Sequence, residues 1–228
     1  MELISTYIFT ILGFGFLLGL KHALEADHVV AVSTIISQTK NFKKSLVLGA
    51  SWGIGHTTTL FIIGILILIF KINIPEKFSL SFELIVGIIL IGLGIEILYK
   101  KLIRREHIHE HKHKNIIHEH KHSHIKSYEH NHNHKSFLLG LVHGLAGSGV
   151  LMLLVIASIN SIMQGLFFIL IFGFGSIIGM LFVSGIIAIP FIFTSKINRL
   201  EKILQIIAGS LSILIGIIII TKILPNLF

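Results

Sequence analysis

Residues 7–36 read YIFTILGFGFLLGLKHALEADHVVAVSTII, and the fold class turns on them. Crossing ~30 Å of hydrocarbon at ~1.5 Å per helical residue takes about 20 residues. This run is longer than that, and its ionisable residues are confined to Lys21 and the segment His22–His28. Outward from it, five further segments have the same apolar character: Ser45–Phe70, Leu80–Tyr99, Phe137–Ile159, Ile162–Phe193 and Ile203–Ile223. Only 13% of the 228 residues are charged, and a soluble domain could not keep apolar blocks of this length out of water. The expected fold is therefore an all-α membrane protein with six transmembrane helices. The first and fifth segments exceed a simple span and are rich in glycine (Gly13, Gly15, Gly19; Gly165, Gly173, Gly175, Gly179, Gly185). That predicts tilt, a break, or continuation past the membrane surface.

The charges between the segments set an orientation. With six spans, one side receives the loops Gln38–Lys44, Lys100–Lys135 and Ser195–Lys202, which carry 3, 9 and 3 Lys and Arg; the other receives only Lys71, Lys77 and Lys222. The positive-inside rule then puts both termini outside and the long central loop in the cytoplasm. The net charge of +8, which in a soluble protein would suggest nucleic acid, is absorbed by this topology signal, and no nucleic-acid partner is expected. The N-terminus lacks the basic start and short apolar stretch of a cleaved leader and reads as mature sequence. With no cysteine in the chain, thiolate metal sites and disulfide redox chemistry are excluded, and any metal must be held by nitrogen and oxygen donors. Neither a nucleotide-binding G-x-x-x-x-G-K-[ST] nor a metalloprotease H-E-x-x-H occurs, so neither an ATPase nor an enzyme is expected.

The chain also repeats itself. FLLGLKHAL (Phe16–Leu24) and FLLGLVHGL (Phe137–Leu145) agree at seven of nine positions, aligning His22 with His143 at an offset of 121, and Gly53-x-Gly55 recurs as Gly173-x-Gly175 at an offset of 120. Three spans per copy is an odd number, so the second copy would be inverted, an architecture that transporters use to place a substrate site at the repeat interface. The expected organisation is a first three-helix repeat over residues 1–100, a histidine-rich cytoplasmic loop over 101–135, and a second three-helix repeat over 136–228.

Within HALEADH lie His22, Glu25, Asp27 and His28. Each ionisable group at that depth costs ~2.5–3.5 kcal/mol on insertion scales, and a shared cation is the economical compensation. On a regular helix at about 100° per residue, Glu25 and His28 fall about 60° and 120° round from His22 in one direction, and Asp27 about 140° in the other. Either His22, Glu25 and His28 bind on one face, or the backbone unwinds and lets Asp27 join. Lys21 could pair with Glu25 at i, i+4. In WGIGHTTT, His56 is the next imidazole candidate, with Thr57–Thr59 offering hydroxyls to neighbouring backbone or a hydrated path. His143, in LVHGLAGSG, has no carboxylate beside it and reads equally as ligand, gate or packed polar contact. Imidazole with carboxylate suits Ni²⁺, Co²⁺, Zn²⁺ and Fe²⁺.

The central loop holds eleven histidines in 28 residues: His107, His109, His111, His113, His118, His120, His122, His124, His130, His132 and His134. Such tracts collect metal compositionally. The interleaved Lys, Glu and Asn leave no apolar face, so a mobile loop with weak, exchangeable sites is expected.

HALEADHVVAV, with its H-x-x-x-x-D-H core, resembles the signature of the nickel/cobalt permease family, and LGASWGIGHTTT resembles that family's second motif. The resemblance covers roughly the first 60 residues and implies metal binding at His22, Asp27, His28 and His56. The aspartate- and threonine-rich motifs of the longer permeases are missing, and only Gly179 and Met180 are similar to one of them. The second half is more similar to the compact branch described as urease accessory membrane proteins. What this implies is a secondary transporter of Ni²⁺, with Co²⁺ as the alternative cargo and no prosthetic group. It would lie in the cytoplasmic membrane, work in uptake, and deliver to a cytosolic metallochaperone. The alternatives are efflux, or a membrane-anchored metal store or chaperone for urease or hydrogenase maturation.

Overall fold

The structure, a computed structural model, describes residues 13–71, 75–103, 109–113, 116–120, 132–146 and 161–227. Residues 13–22 are helical (α1), followed by α2 (Ala26–Ile36), α3 (Phe42–Phe70) and α4 (Glu76–Leu98), which runs on through a π turn at Tyr99–Ile103. Then come α5 (His132–His143), α6 (Ile162–Thr194) and α7 (Asn198–Leu227). Four helices, Phe42–Phe70, Lys77–Leu102, Ile162–Thr194 and Asn198–Leu227, are long and apolar enough to cross a membrane.

The other two expected spans are not single helices among the described residues. The first breaks between α1 and α2, and the fourth is described as α5 and a turn through Ala146, with the rest of the predicted Phe137–Ile159 segment outside the described residues. The break within HALEADH brings round Asp27, which a straight helix would hold away from the face shared by His22, Glu25 and His28. The predicted fifth span, by contrast, stays helical for 33 residues in spite of its glycines and Pro190. Those glycines serve close packing instead of interruption.

Polar caps and apolar faces explain the element ends. Asn41 accepts a hydrogen bond from Lys44 N at 3.1 Å and starts α3, while Lys71 ends it in the left-handed region at φ 49°. Ser161 accepts from Gln164 N at 3.5 Å at the start of α6. Large apolar side chains face outward, and imidazoles lie within. Phe182 is 67% exposed and Phe174 60%, whereas His22, His28, His56 and His143 are at most 3% exposed. That inversion suits lipid as the surrounding solvent, where small residues and polar contacts hold helices together.

The helices pack through glycine on carbonyl. A Cβ at Gly19 of α1 would collide with the Phe172 carbonyl of α6, and one at Gly175 with the Phe16 carbonyl. In the same way a Cβ at Gly140 of α5 would strike the Trp52 carbonyl of α3, and one at Gly55 the Phe137 carbonyl. Between α4 and α7, Gly87 faces Gly216 and Gly94 faces Gly209. Trp52, Met180, Leu90, Ala31 and Ile36 lie in one buried cluster, and Leu60, Phe168, Ile169 and Phe172 in another.

Two short stretches of the central loop are extended and paired. His109–His113 (β1) and Ile116–His120 (β2) pair antiparallel, with His109 opposite His120 and His111 opposite His118. Strand pairing here has a backbone cause: alternating short segments on either side of Lys114–Asn115 can satisfy each other's amides. His107, His122, His124 and His130 lie outside the described residues.

Candidate metal centre

α1 ends at His22. Leu24 N donates to Lys21 O and Glu25 N to His22 O, both at 3.0 Å, and the chain then passes through extended backbone at Glu25 (φ −64°, ψ 145°) before α2 begins. α5 ends at His143 in the matching way, with Leu145 N on Val142 O at 3.2 Å and Ala146 N on His143 O at 3.1 Å. The two breaks fall 121 residues apart, the offset that aligns His22 with His143. Each break lets a helix-terminal imidazole turn inward.

Four imidazoles meet there. His22 Nε2 lies 2.8 Å from His56 Nε2, and the ring of His28 stands 4.5 Å from that of His22, 5.2 Å from His56 and 4.4 Å from His143, centroid to centroid. The Glu25 carboxylate reaches His22 Nδ1 at 3.2 Å, while Lys21 is exposed. Asp27 faces two rings, with Oδ1 3.3 Å from His28 Nδ1 and Oδ2 2.7 Å from His143 Nε2. The unwound backbone is thus the arrangement present, and it brings Asp27 into the cluster on the side of His143. Trp52 and Phe172 wall the centre, with ring centroids 5.3 Å from His143 and 5.4 Å from His22 respectively.

These contacts assign tautomers. An ionised carboxylate only accepts, so the nitrogens facing Glu25 and Asp27 carry the hydrogens on His22 and His28. His22 Nε2 then accepts from His56 Nε2 at 2.8 Å, and the lone pairs of His28 Nε2 and His56 Nδ1 are left over. His28 Nε2 and His56 Nδ1 are buried without a hydrogen-bond partner among the described residues, a costly state in a medium without water. A carboxylate behind an imidazole whose other nitrogen is open is the arrangement that orients histidines toward a metal. With neutral imidazoles, the charges of Glu25 and Asp27 are the complement of one divalent cation.

Two triads have donor atoms within 4.8 Å of one another: His22, His28 and His56, and Asp27, His28 and His143. Ligands bound to one ion at about 2.0–2.1 Å cannot lie much more than ~4 Å apart, so a cation requires only a small contraction of either triad. All six intramembrane residues singled out from the sequence therefore meet. The described loop histidines lie elsewhere in the chain: five are in β1 and β2, and His132 and His134 are in the first turn of α5. The threonines after His56 serve the backbone, Thr57 Oγ1 donating to Gly173 O at 3.3 Å and Thr59 Oγ1 to Leu141 O at 2.8 Å. Trp52 and Phe172 were not anticipated. A signal existed, since Trp52 precedes His56 by one helical turn and Phe172 holds the same place before Gly173-x-Gly175.

The family described as the cytochrome c biogenesis protein transmembrane region matches residues 30–218. The urease accessory protein UreH of Bacillus sp. (strain TB-90) is 40% identical over 210 residues, covering 92% of this chain and 90% of that one. A protein of Methanocaldococcus jannaschii, named provisionally as a nickel/cobalt efflux system, is 29% identical over 214 residues, covering 89% of this chain and 88% of that one. No solved structure matches.

Proposed function

This chain belongs to the transmembrane-region family matched over residues 30–218 and to the urease-accessory branch of the nickel/cobalt permeases, and from that premise we propose that it is a secondary transporter moving Ni²⁺, or Co²⁺, across the cytoplasmic membrane. The observation that carries the reading is the convergence of His22, His28, His56, His143 and Asp27 in one buried centre. Imidazole with a single carboxylate suits these borderline metals. The chain is read as a carrier of its ion and not as an enzyme.

Two inverted three-helix repeats, over residues 1–100 and 136–228, provide the means. Support comes from reciprocal contacts. Gly19 on Phe172 has its counterpart in Gly140 on Trp52, and Gly55 on Phe137 in Gly175 on Phe16. Phe172 beside His22 is echoed by Trp52 beside His143. All these pairs interchange at offsets of 120 or 121 residues. Rocking one repeat against the other would open the centre to either side in turn. Both termini lie outside and the histidine-rich loop, residues 101–135, lies inside, where it takes the ion before a cytosolic metallochaperone does.

Uptake is the proposed direction. Efflux is the second reading, favoured by the name of the Methanocaldococcus relative. Cells lacking their own nickel uptake, expressing the protein or its His22→Ala and His28→Ala variants at equal membrane levels, decide between them by elemental analysis. More nickel with the wild type alone supports uptake; less nickel supports efflux. Equal nickel in all three removes the transport reading.

A further inference from the structure

The geometry points to two overlapping binding positions in the centre, joined by His28, between which the cation is handed during transport; this rests on the transport reading above. His28 is the one residue common to both triads, His22–His28–His56 and Asp27–His28–His143. One ion cannot take all five residues as they stand, because ligands of a single ion lie within ~4 Å of each other and only the triads meet even the wider 4.8 Å limit. The two positions also differ in character. The first offers three neutral imidazoles, each at most 3% exposed; the second exchanges two of them for His143 and the carboxylate of Asp27, which is partly exposed.

His28 is built for this role. Its Nδ1 donates to Asp27 Oδ1 at 3.3 Å while its Nε2 has no hydrogen-bond partner among the described residues, so a fixed ring holds one lone pair that can serve the two positions in turn. In the hand-off a bond to His28 is kept while those to His22 and His56 are exchanged for bonds to Asp27 and His143. Each position draws on a different half of the chain beyond residues 22–28: His56 comes from α3, and His143 from α5. Rocking of the halves would therefore change the balance between them.

The test uses the full chain in nanodiscs, washed with a weak chelator to strip the loop, with one equivalent of Co²⁺ as a spectroscopic probe and X-ray absorption to count imidazoles. His143→Gln keeps a donor to Asp27 and should bind Co²⁺ through three imidazoles with near wild-type affinity. His56→Gln should bind one ion through two imidazoles and a carboxylate, roughly 10–100-fold more weakly. His28→Gln, which disables both positions, should bind more weakly than either. The proposal is overturned if His143→Gln and His56→Gln give the same spectrum and the same loss, or if His28→Gln binds as well as they do. Thermal unfolding of each variant in the metal-free state identifies a misfolded protein, and in that case the isosteric pair His143→Asn and His56→Asn decides by the same spectral criterion. Wild-type protein that shows the two-position pattern yet carries no Ni²⁺ into proteoliposomes would overturn the transport reading and leave the two positions standing.

Discussion

Replacing Asp27 by Asn tests the centre with a change of almost no volume. The carboxylate accepts from two imidazoles at once, at 2.7 Å from His143 Nε2 and 3.3 Å from His28 Nδ1. An amide has one oxygen and one NH2, so one of those two ring nitrogens must then face a donor. Either that ring changes tautomer, which turns its N–H toward the metal in place of a lone pair, or the contact becomes repulsive. The contact to His28, the ring common to both triads, is a hydrogen bond to a charged group worth ~1.5–3 kcal/mol. Its orienting effect on an imidazole ligand corresponds to roughly 10–100-fold in metal affinity. Titration of Ni²⁺ into the full-length Asp27→Asn protein should therefore give a Kd raised by about 10-fold or more, with metal-free thermal stability lowered only slightly, since no cavity is made. Wild-type affinity in the variant would refute the reasoning, for it would mean that Asp27 neither orients nor neutralises anything at the centre.

Gly175→Leu would drive a side chain into the Phe16 carbonyl; overpacking of this kind costs about 1–3 kcal/mol or more, and a thermal-shift measurement should show a lower Tm, as it should for the matching Gly55→Leu against Phe137. Gly92, which has open space around it, is the control, and Gly92→Ala should leave Tm unchanged or slightly raised. Glu96 holds Lys100 at 2.6 Å and Lys135 at 2.7 Å across the two ends of the histidine-rich loop, but the groups are a third or more exposed, so Glu96→Gln should cost under about 1 kcal/mol in a denaturant titration and less still at high salt. Deleting His107–His134 should lower nickel retention in cells while leaving initial uptake into proteoliposomes intact; loss of both would favour a metal store anchored by its helices.

Much was legible in the chain because membrane insertion acts on local composition. A run such as residues 7–36 has to find lipid whatever its neighbours do, and charged residues inside it have to be compensated. Hence the apolar segments, the six ionisable residues set among them and the recurrence of FLLGL-x-H could be found by reading along the sequence. The helical period showed that His22 and Asp27 cannot share a face of a straight helix, and so narrowed HALEADH to two arrangements. It had no means of choosing, because the choice depends on what stands across the interface. His143, 116 residues away from Asp27, had looked like an isolated imidazole because its carboxylate comes from the other half.

The loop and α6 hold details that the chain alone left open. Composition gave a loop without an apolar face and no sign of β1 and β2, which pair through backbone amides that carry no compositional signal. For Ile162–Thr194 tilt, a break or continuation past the membrane surface all stood open; the helix is unbroken over 33 residues, and its glycines are contact points for Leu68, Thr57, Phe16 and Ala23. Sequence by itself located the apolar segments and the ionisable side chains set within them, since burial free energy and residue chemistry are properties of short stretches. Only the tertiary structure decided that the helix unwinds at Ala23–Glu25, that Asp27 turns to His143 and that His28 stands between two triads. Those depend on glycine-to-carbonyl contacts that set how closely distant helices approach, and such distances are not encoded in any single segment.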